Sequence, residues 1–189
     1  IVYLPYFLSW VVLGGIFIDL LSPGSGIING IITSLGGESI FFLGDNRYFK
    51  GTLIVTDIWK TFGYSAIVYL AAIVGVDTSL YEAAETDGAN RWQKVWHITL
   101  PGIRGIVVLM MVLSLGNVLN AGFDQVFNLY TKAVYESGDI LDTFIYRLGL
   151  IDAQYGAATA VGLFKSIIST IFISTSYYLA YKFSDYRIF

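Results

Sequence analysis

The sequence predicts an all-α integral membrane protein with four apolar segments of membrane-crossing length joined by polar loops. Two observations predict this class. Of the 189 residues, 56% are hydrophobic and only 13% charged, about half the roughly 25% of charged residues usual in a soluble domain. The charges also cluster, leaving residues 1–18, 61–76, 105–123 and 166–181 without Asp, Glu, Lys or Arg, each near the roughly 20 residues a spanning helix needs. There is no cysteine, which excludes a disulfide scaffold, a Cys zinc site and a thiol nucleophile. A net charge of −3 from 11 basic and 14 acidic residues gives no electrostatic footprint for nucleic acid.

The chain opens Ile1-Val2-Tyr3-Leu4-Pro5, with neither an initiator Met nor a basic n-region, so it is no signal peptide and reads as the interior of a longer polypeptide. A first span is expected over about 1–21, stopped by Ser22-Pro23-Gly24-Ser25-Gly26, a cluster that cannot continue a helix. Loop 22–50 follows, and within it Ile27, Ile28, Ile31, Ile32 and Leu35 form one apolar stripe on a short helix ended by Gly36-Gly37. Such a helix is expected to lie in the headgroup plane. A second span covers about 51–75 and carries Asp57 and Lys60 on adjacent turns; a third runs over about 103–121 after Pro101. Loop 122–154 holds Asp124, Glu136, Asp139, Asp142 and Asp152, too many acids for hydrocarbon. Inside it Ile140, Leu141, Phe144, Ile145 and Leu148 predict a surface helix capped by Asp139. The fourth span, about 155–182, contains Lys165 and a row of small residues, Gly162, Ser166, Thr170 and Ser174, which lets another helix approach closely.

Four spans place loops 22–50 and 122–154 on one side, with loop 76–102 and the tail 183–189 on the other. Arg91, Lys94, Arg104, Lys182 and Arg187 lie near the ends on the second side, against Arg47, Lys50, Lys132 and Arg147 on the first. Five to four is a slim positive-inside bias toward a cytoplasmic 76–102 loop.

That loop reads as two short helices. Asp77, Thr78 or Ser79 can cap the first, residues 80–86 are mostly helix formers, and Asp87-Gly88 supplies a turn where glycine tolerates positive φ. In the second, Trp92, Val95, Trp96 and Thr99 share one face, while Arg91, Lys94 and His97 point elsewhere. An amphipathic knob of this kind suits another protein's groove; an interfacial helix-turn-helix on lipid is the plainer alternative.

The pattern E-A-A, three residues, G, nine residues, I, one residue, L-P is met at Glu82, Ala83, Ala84, Gly88, Ile98, Leu100 and Pro101. It resembles the EAA loop of binding-protein-dependent ABC importer permeases. Tyr81, Asp87-Gly88-Ala89-Asn90 and Ile98-Thr99-Leu100-Pro101 are similar to the sugar-importing branch. Leu21-Ser22-Pro23, Asp57-Ile58-Trp59-Lys60, Leu119-Asn120-Ala121-Gly122-Phe123 and Ala160-Val161-Gly162-Leu163-Phe164-Lys165-Ser166 resemble the complex-polysaccharide (LplB-like) permeases. The resemblance covers essentially the whole chain. It implies four of the six helices of a type I ABC importer permease core in the bacterial cytoplasmic membrane, with the first two absent. It further implies a cytoplasmic coupling helix that docks on an ABC ATPase subunit through Glu82, Ala83, Ala84 and Gly88. A second permease subunit and an extracytoplasmic solute-binding protein are the other implied partners, and the cargo is an oligosaccharide or polysaccharide fragment.

By residue counting, Lys60 lies roughly 14 Å into the membrane, and Lys165 is also near the middle of a roughly 30 Å core. A charge at that depth costs about 3 kcal/mol or more, so each needs a partner or a wet cavity. Asp57, three residues before Lys60, is the simplest partner, giving either a polar pathway lining or a structural ion pair; Lys165 has no acid near it on its own helix and reads as lining. Asn117, Asn120, Asp124 and Asn128 recur at i, i+3, i+7 and i+11, a polar stripe suited either to sugar hydroxyls or to interhelical hydrogen bonds. Tyr177, Tyr178, Tyr181 and Tyr186 read as an interfacial belt. His97 is the only histidine, so no metal site is expected. No G-x-x-x-x-G-K-[ST], G-x-S-x-G or H-E-x-x-H occurs; ATP hydrolysis is therefore expected in separate subunits, with no cofactor in this chain. A permease for another solute, a membrane scaffold or a membrane enzyme are the rival readings.

Overall fold

The computed structural model describes residues 2–184, and among them the regular structure is entirely helical. Arg187 and Tyr186, counted above in the charge bias and the aromatic belt, lie outside the described residues. Two compact units form, one from Ile1–Gly63 and Leu119–Ser166, the other from Tyr64–Val118 and Ile167–Phe189.

In the first unit the opening segment is not one continuous helix. Pro5 starts a short turn over Leu4–Phe7, Leu8 is extended, and the Ser9 hydroxyl caps helix α1, Trp10–Leu20, by accepting from Val12 N–H at 3.4 Å. Eleven residues make a helix roughly 16 Å long. Helix α2, Ile27–Ser34, forms where the isoleucine stripe predicts it and ends at Gly36, which has φ +85°. Between α1 and α3, Asn29 organises the loop. Only 2% exposed, its amide donates to Leu21 O, Ser22 O and Ile40 O and accepts from Ile40 N–H at 2.8 Å.

Helix α3, Asn46–Val74, starts five residues earlier than the apolar segment and continues into the second unit. Its Phe49 is fully buried with Leu43, Leu129 and Val134, and Trp10 and Phe17 of α1, with Leu21 just after it, pack on that core. Helix α7, Phe123–Leu129, is tied to α3 by buried Gln125, whose amide donates to Leu53 O at 2.7 Å and Thr56 Oγ1 at 2.9 Å. At Gly63 the N-terminal segment crosses α3 so closely that a Cβ would lie 2.3 Å from Val2 O.

Helix α8, Leu141–Tyr146, lies where the loop pattern predicts it, but Asp139 does not cap it. Instead Asp139 accepts from the Thr143 hydroxyl and pairs with both arms of Arg147 at 2.8 and 2.5 Å, while Thr143 Oγ1 accepts from Ile140 N–H. The helix then widens over Arg147–Ile151, where Asp152 N–H reaches Arg147 O five residues back. Helix α9, Tyr155–Ser184, follows and crosses from this unit into the other.

The second unit contains the hairpin of α4, Thr78–Thr86, and α5, Arg91–Gly102, followed by α6, Arg104–Gly116. Val76 and Ile103 are buried in it. The expected third span stops at Gly116, short of residue 121, because Asn117 turns back on Ser114 O and Gly122 adopts φ +72°. Among the described residues, Tyr155–Tyr178 is the one helix long and apolar enough by itself to cross a membrane; α3 with α4, bent by 67°, and α5 with α6, bent by 60°, reach that length and apolarity only as pairs. Within its apolar stretch helix α3 carries the charged side chains Asp57 and Lys60, which lower its apolarity.

Candidate functional site

The hairpin is assembled by local chemistry. The Asp77 carboxylate accepts from Ser79 N–H at 2.9 Å and caps α4, and this bond holds its carboxyl below the ordinary carboxylate range. After Thr86 the chain reverses at Gly88, φ +76°, a left-handed conformation in which a Cβ is strained. Asn90 and Gln93 then form a reciprocal capping box that starts α5. Further on, Leu100 N–H bonds Val95 O, five residues back. Pro101 explains that wide turn, since its ring clashes with the carbonyl four residues before it and it has no N–H to donate.

Two contacts brace the arms against each other: the Tyr81 and Thr99 hydroxyls meet at 2.8 Å, and Lys94 Nζ pairs with Glu85 Oε2 at 3.0 Å. Glu82 and Ala83 stay exposed, whereas Ala84 is half-buried and lines, with Gly88, Gln93, Lys94, His97 and Ile98, a groove of about 320 Å³. The expected single face of α5 divides by burial. Trp92 and Trp96 are 75% and 64% exposed, while Val95 and Thr99 are half-buried against the hairpin. The hairpin thus leaves two indoles, Leu80 and the Glu82 side chain exposed.

The candidate pathway residues fall in separate places. Asp57 and Lys60 do not form the expected ion pair: Lys60 Nζ donates to Leu8 O at 2.7 Å and sits 5.1 Å from the Trp10 ring centre. The break at Leu8 explains this, because a helical residue there would spend its carbonyl inside the helix. Asn117 donates to Leu113 O on its own helix. With the backbone turned at residues 117–122, Asn117, Asn120, Asp124 and Asn128 do not make one helical stripe; Asn128 instead bonds Asp124 O at 2.7 Å.

Lys165 meets an acid that spacing could not reveal. Its Nζ donates to Asp142 Oδ1 at 2.6 Å and to Asn120 Oδ1 at 2.8 Å, partners 23 and 45 residues away. One turn beyond Asp142, Tyr146 packs with Phe123 and Phe127 at 5.9 and 4.9 Å between ring centres. Nearby, Arg147 lies 4.5 Å from the Tyr135 ring centre. Its two bonds pull the Asp139 carboxyl below, and the guanidinium above, their ordinary values. Burial, together with the bond to Tyr135, raises the Tyr130 hydroxyl. Among the described residues no group of three His, Cys, Asp or Glu is placed to hold a metal.

Among the described residues, helices alone, with the apolar ones interrupted by a braced hairpin, make the architecture of a membrane transport component. The chain belongs to the binding-protein-dependent transport system inner membrane component family, which matches residues 1–189. It is 40% identical to Protein LplB of Bacillus subtilis and 40% identical to the polygalacturonan/rhamnogalacturonan transport system permease protein YteP of the same organism. All of this chain matches each of them, and it spans 59% of the length of either. A crystal structure of a bacterial ABC transporter involved in import of the acidic polysaccharide alginate superposes with TM-score 0.94 at 38% identity, covering 97% of this chain and 64% of that one. The alginate transporter in complex with its pentasaccharide-bound periplasmic protein gives TM-score 0.95 at 37% identity, covering 100% of this chain and 65% of that one.

Proposed function

We propose that this chain is part of a permease subunit of an ATP-driven ABC importer that carries an oligosaccharide delivered by an extracytoplasmic binding protein. The observation that carries the reading is the α4–α5 hairpin: it puts Glu82 on an exposed face, reverses at a left-handed Gly88 and displays Trp92 and Trp96. In this reading the hairpin faces the cytoplasm and receives the stroke of a separate ABC ATPase subunit. Spans at about 1–21, 51–75, 103–121 and 155–182 cross the cytoplasmic membrane of a bacterium, loops 22–50 and 122–154 meet the binding protein, and a second permease subunit completes the pathway. Glu82, Ala83, Ala84 and Gly88 are the coupling residues; Asp57, Lys60, Asn117, Asn120 and Lys165 are the pathway candidates. The chain supplies no cofactor.

The sugar cargo is supported by the pectin-type and alginate-type transporters that the chain resembles. The test is reconstitution of the full-length subunit with its ATPase, partner permease and binding protein in liposomes, with a cysteine pair placed at Glu82 and on the ATPase surface. Oligosaccharide uptake driven by ATP, with a disulfide linking the two subunits, is expected. A complex in which loop 76–102 forms no cross-link and can be altered without changing ATP-driven uptake would overturn the reading.

A further inference from the structure

The two ion pairs around α8 are built differently. Asp139 and Arg147 are locked, since both carboxylate oxygens engage both guanidinium arms, Thr143 adds a further bond and Tyr135 covers the cation. Bidentate pairing of this kind fixes geometry. Lys165, by contrast, holds Asp142 through one carboxylate oxygen and takes its second acceptor from the neutral amide of Asn120. Its side chain and that of Asp142 keep 14% and 23% exposure. An ammonium is a point charge on a flexible stem and imposes no fork geometry on its partner.

We infer that Lys165, Asp142 and Asn120 form a carboxylate-exchange site, in which the carboxylate of a uronate-bearing oligosaccharide replaces Asp142 on the Lys165 ammonium. The site rests on the permease reading above and narrows its cargo from oligosaccharides in general to acidic ones. Only an anion competes in that position: a sugar hydroxyl offers a neutral acceptor, and charge-assisted bonds are roughly twice as strong as neutral ones. The exchange conserves charge, because Asp142 turns to water as the cargo carboxylate arrives and returns when it leaves. Asn120 stays in place and keeps its Oδ1 on the Lys165 ammonium. Tyr146, one turn beyond Asp142, packs with Phe123 and Phe127, so an aromatic cluster sits on the segments that carry Asn120 and Asp142.

A structural lock and an exchange site differ in the sign of two single substitutions. Breaking a lock from either end removes the same contact, so Lys165→Gln and Asp142→Asn would act in the same direction. At an exchange site they act oppositely, because Asp142 is the competitor. The experiment measures ATP-driven uptake of trigalacturonate, trimannuronate and neutral galactotriose by the complete transporter in liposomes, with one binding protein common to all variants. Lys165→Gln is expected to raise the half-saturating uronate concentration at least tenfold, Asp142→Asn to lower it severalfold, and Lys165→Arg, which keeps the charge, to stay near wild type. If both changes weaken uronate uptake together, or Lys165→Gln folds poorly while Asp142→Asn gives no gain, the exchange site is refuted. Uptake of galactotriose but of neither uronate also refutes it and leaves the permease reading standing; no ATP-driven uptake of any of the three refutes both.

Discussion

Replacing Gly88 by valine isolates the backbone of the hairpin from its side-chain contacts. At φ +76° the residue is left-handed, and nothing lies within 4 Å of the position a Cβ would occupy. A larger side chain therefore meets no neighbour, and the penalty comes from the backbone conformation alone, about 1–2 kcal/mol for an ordinary L-residue and toward 3 kcal/mol for a strained, β-branched one. Since 1.4 kcal/mol is a factor of ten, the bent hairpin loses on the order of 10- to 100-fold in population relative to straighter forms. The assay is substrate-stimulated ATPase activity of the complete transporter, with the membrane content of the subunit measured beside it. Gly88→Val should abolish stimulation while the subunit still inserts, and Gly88→Asn should keep most of it, because asparagine tolerates the left-handed region. Gly51→Ala is the control, being equally open at its Cβ position but inside helix α3; it should stabilise by roughly 0.5–1 kcal/mol. Full stimulation in Gly88→Val would refute the view that this bend transmits the ATPase stroke.

Three further outcomes are expected. In this cysteine-free chain, Glu136→Cys should react with an impermeant thiol reagent outside intact cells and Thr86→Cys should not; the reverse pattern inverts the topology. Lys60→Met should lower stability by about 1 kcal/mol through the lost bond to Leu8 O, and adding Asp57→Leu should not restore it. Recovery in that double variant, read by thermal unfolding, would show that the two residues pair after all. Asp139 has a carboxyl held below its ordinary value of 3.8 by Arg147, so its contribution is complete above that value and is lost as pH falls through it toward the lower folded value. Unfolding below about pH 4 should become less steep with pH in Asp139→Asn, and an unchanged acid limb would count against the assignment.

What the sequence revealed depended on range. The start of α4, the reversal at Gly88 and the span of α2 are decided within a turn or two and were legible, with the cap narrowed to Asp77, Thr78 or Ser79 before the structure gave Asp77. So was the position of α8, although its cap was misread because Asp139 had a stronger partner eight residues on in Arg147. The partners of Lys60 and Lys165 lie 52, 45 and 23 residues away, beyond any spacing rule. The stripe from Asn117 to Asn128 assumed a helix that Asn117 and Gly122 interrupt. Asn29 gave a faint signal that went unused: it is a lone amide in an isoleucine-rich helix, and a polar residue on a buried face needs partners.

Asn29 also stands directly before Gly30, the dipeptide most prone to spontaneous deamidation, in which the following backbone nitrogen attacks the side-chain carbonyl carbon and ammonia departs. The same fold that depends on this amide shelters it from that ageing. Gly30 N–H is held by Gly26 O at 2.9 Å inside a helix, away from the extended geometry the cyclic imide requires, and the leaving nitrogen is gripped by three carbonyls. Once converted, an aspartate would face those three carbonyls with a carboxylate oxygen in place of the two amide N–H donors, losing the contacts that organise the loop.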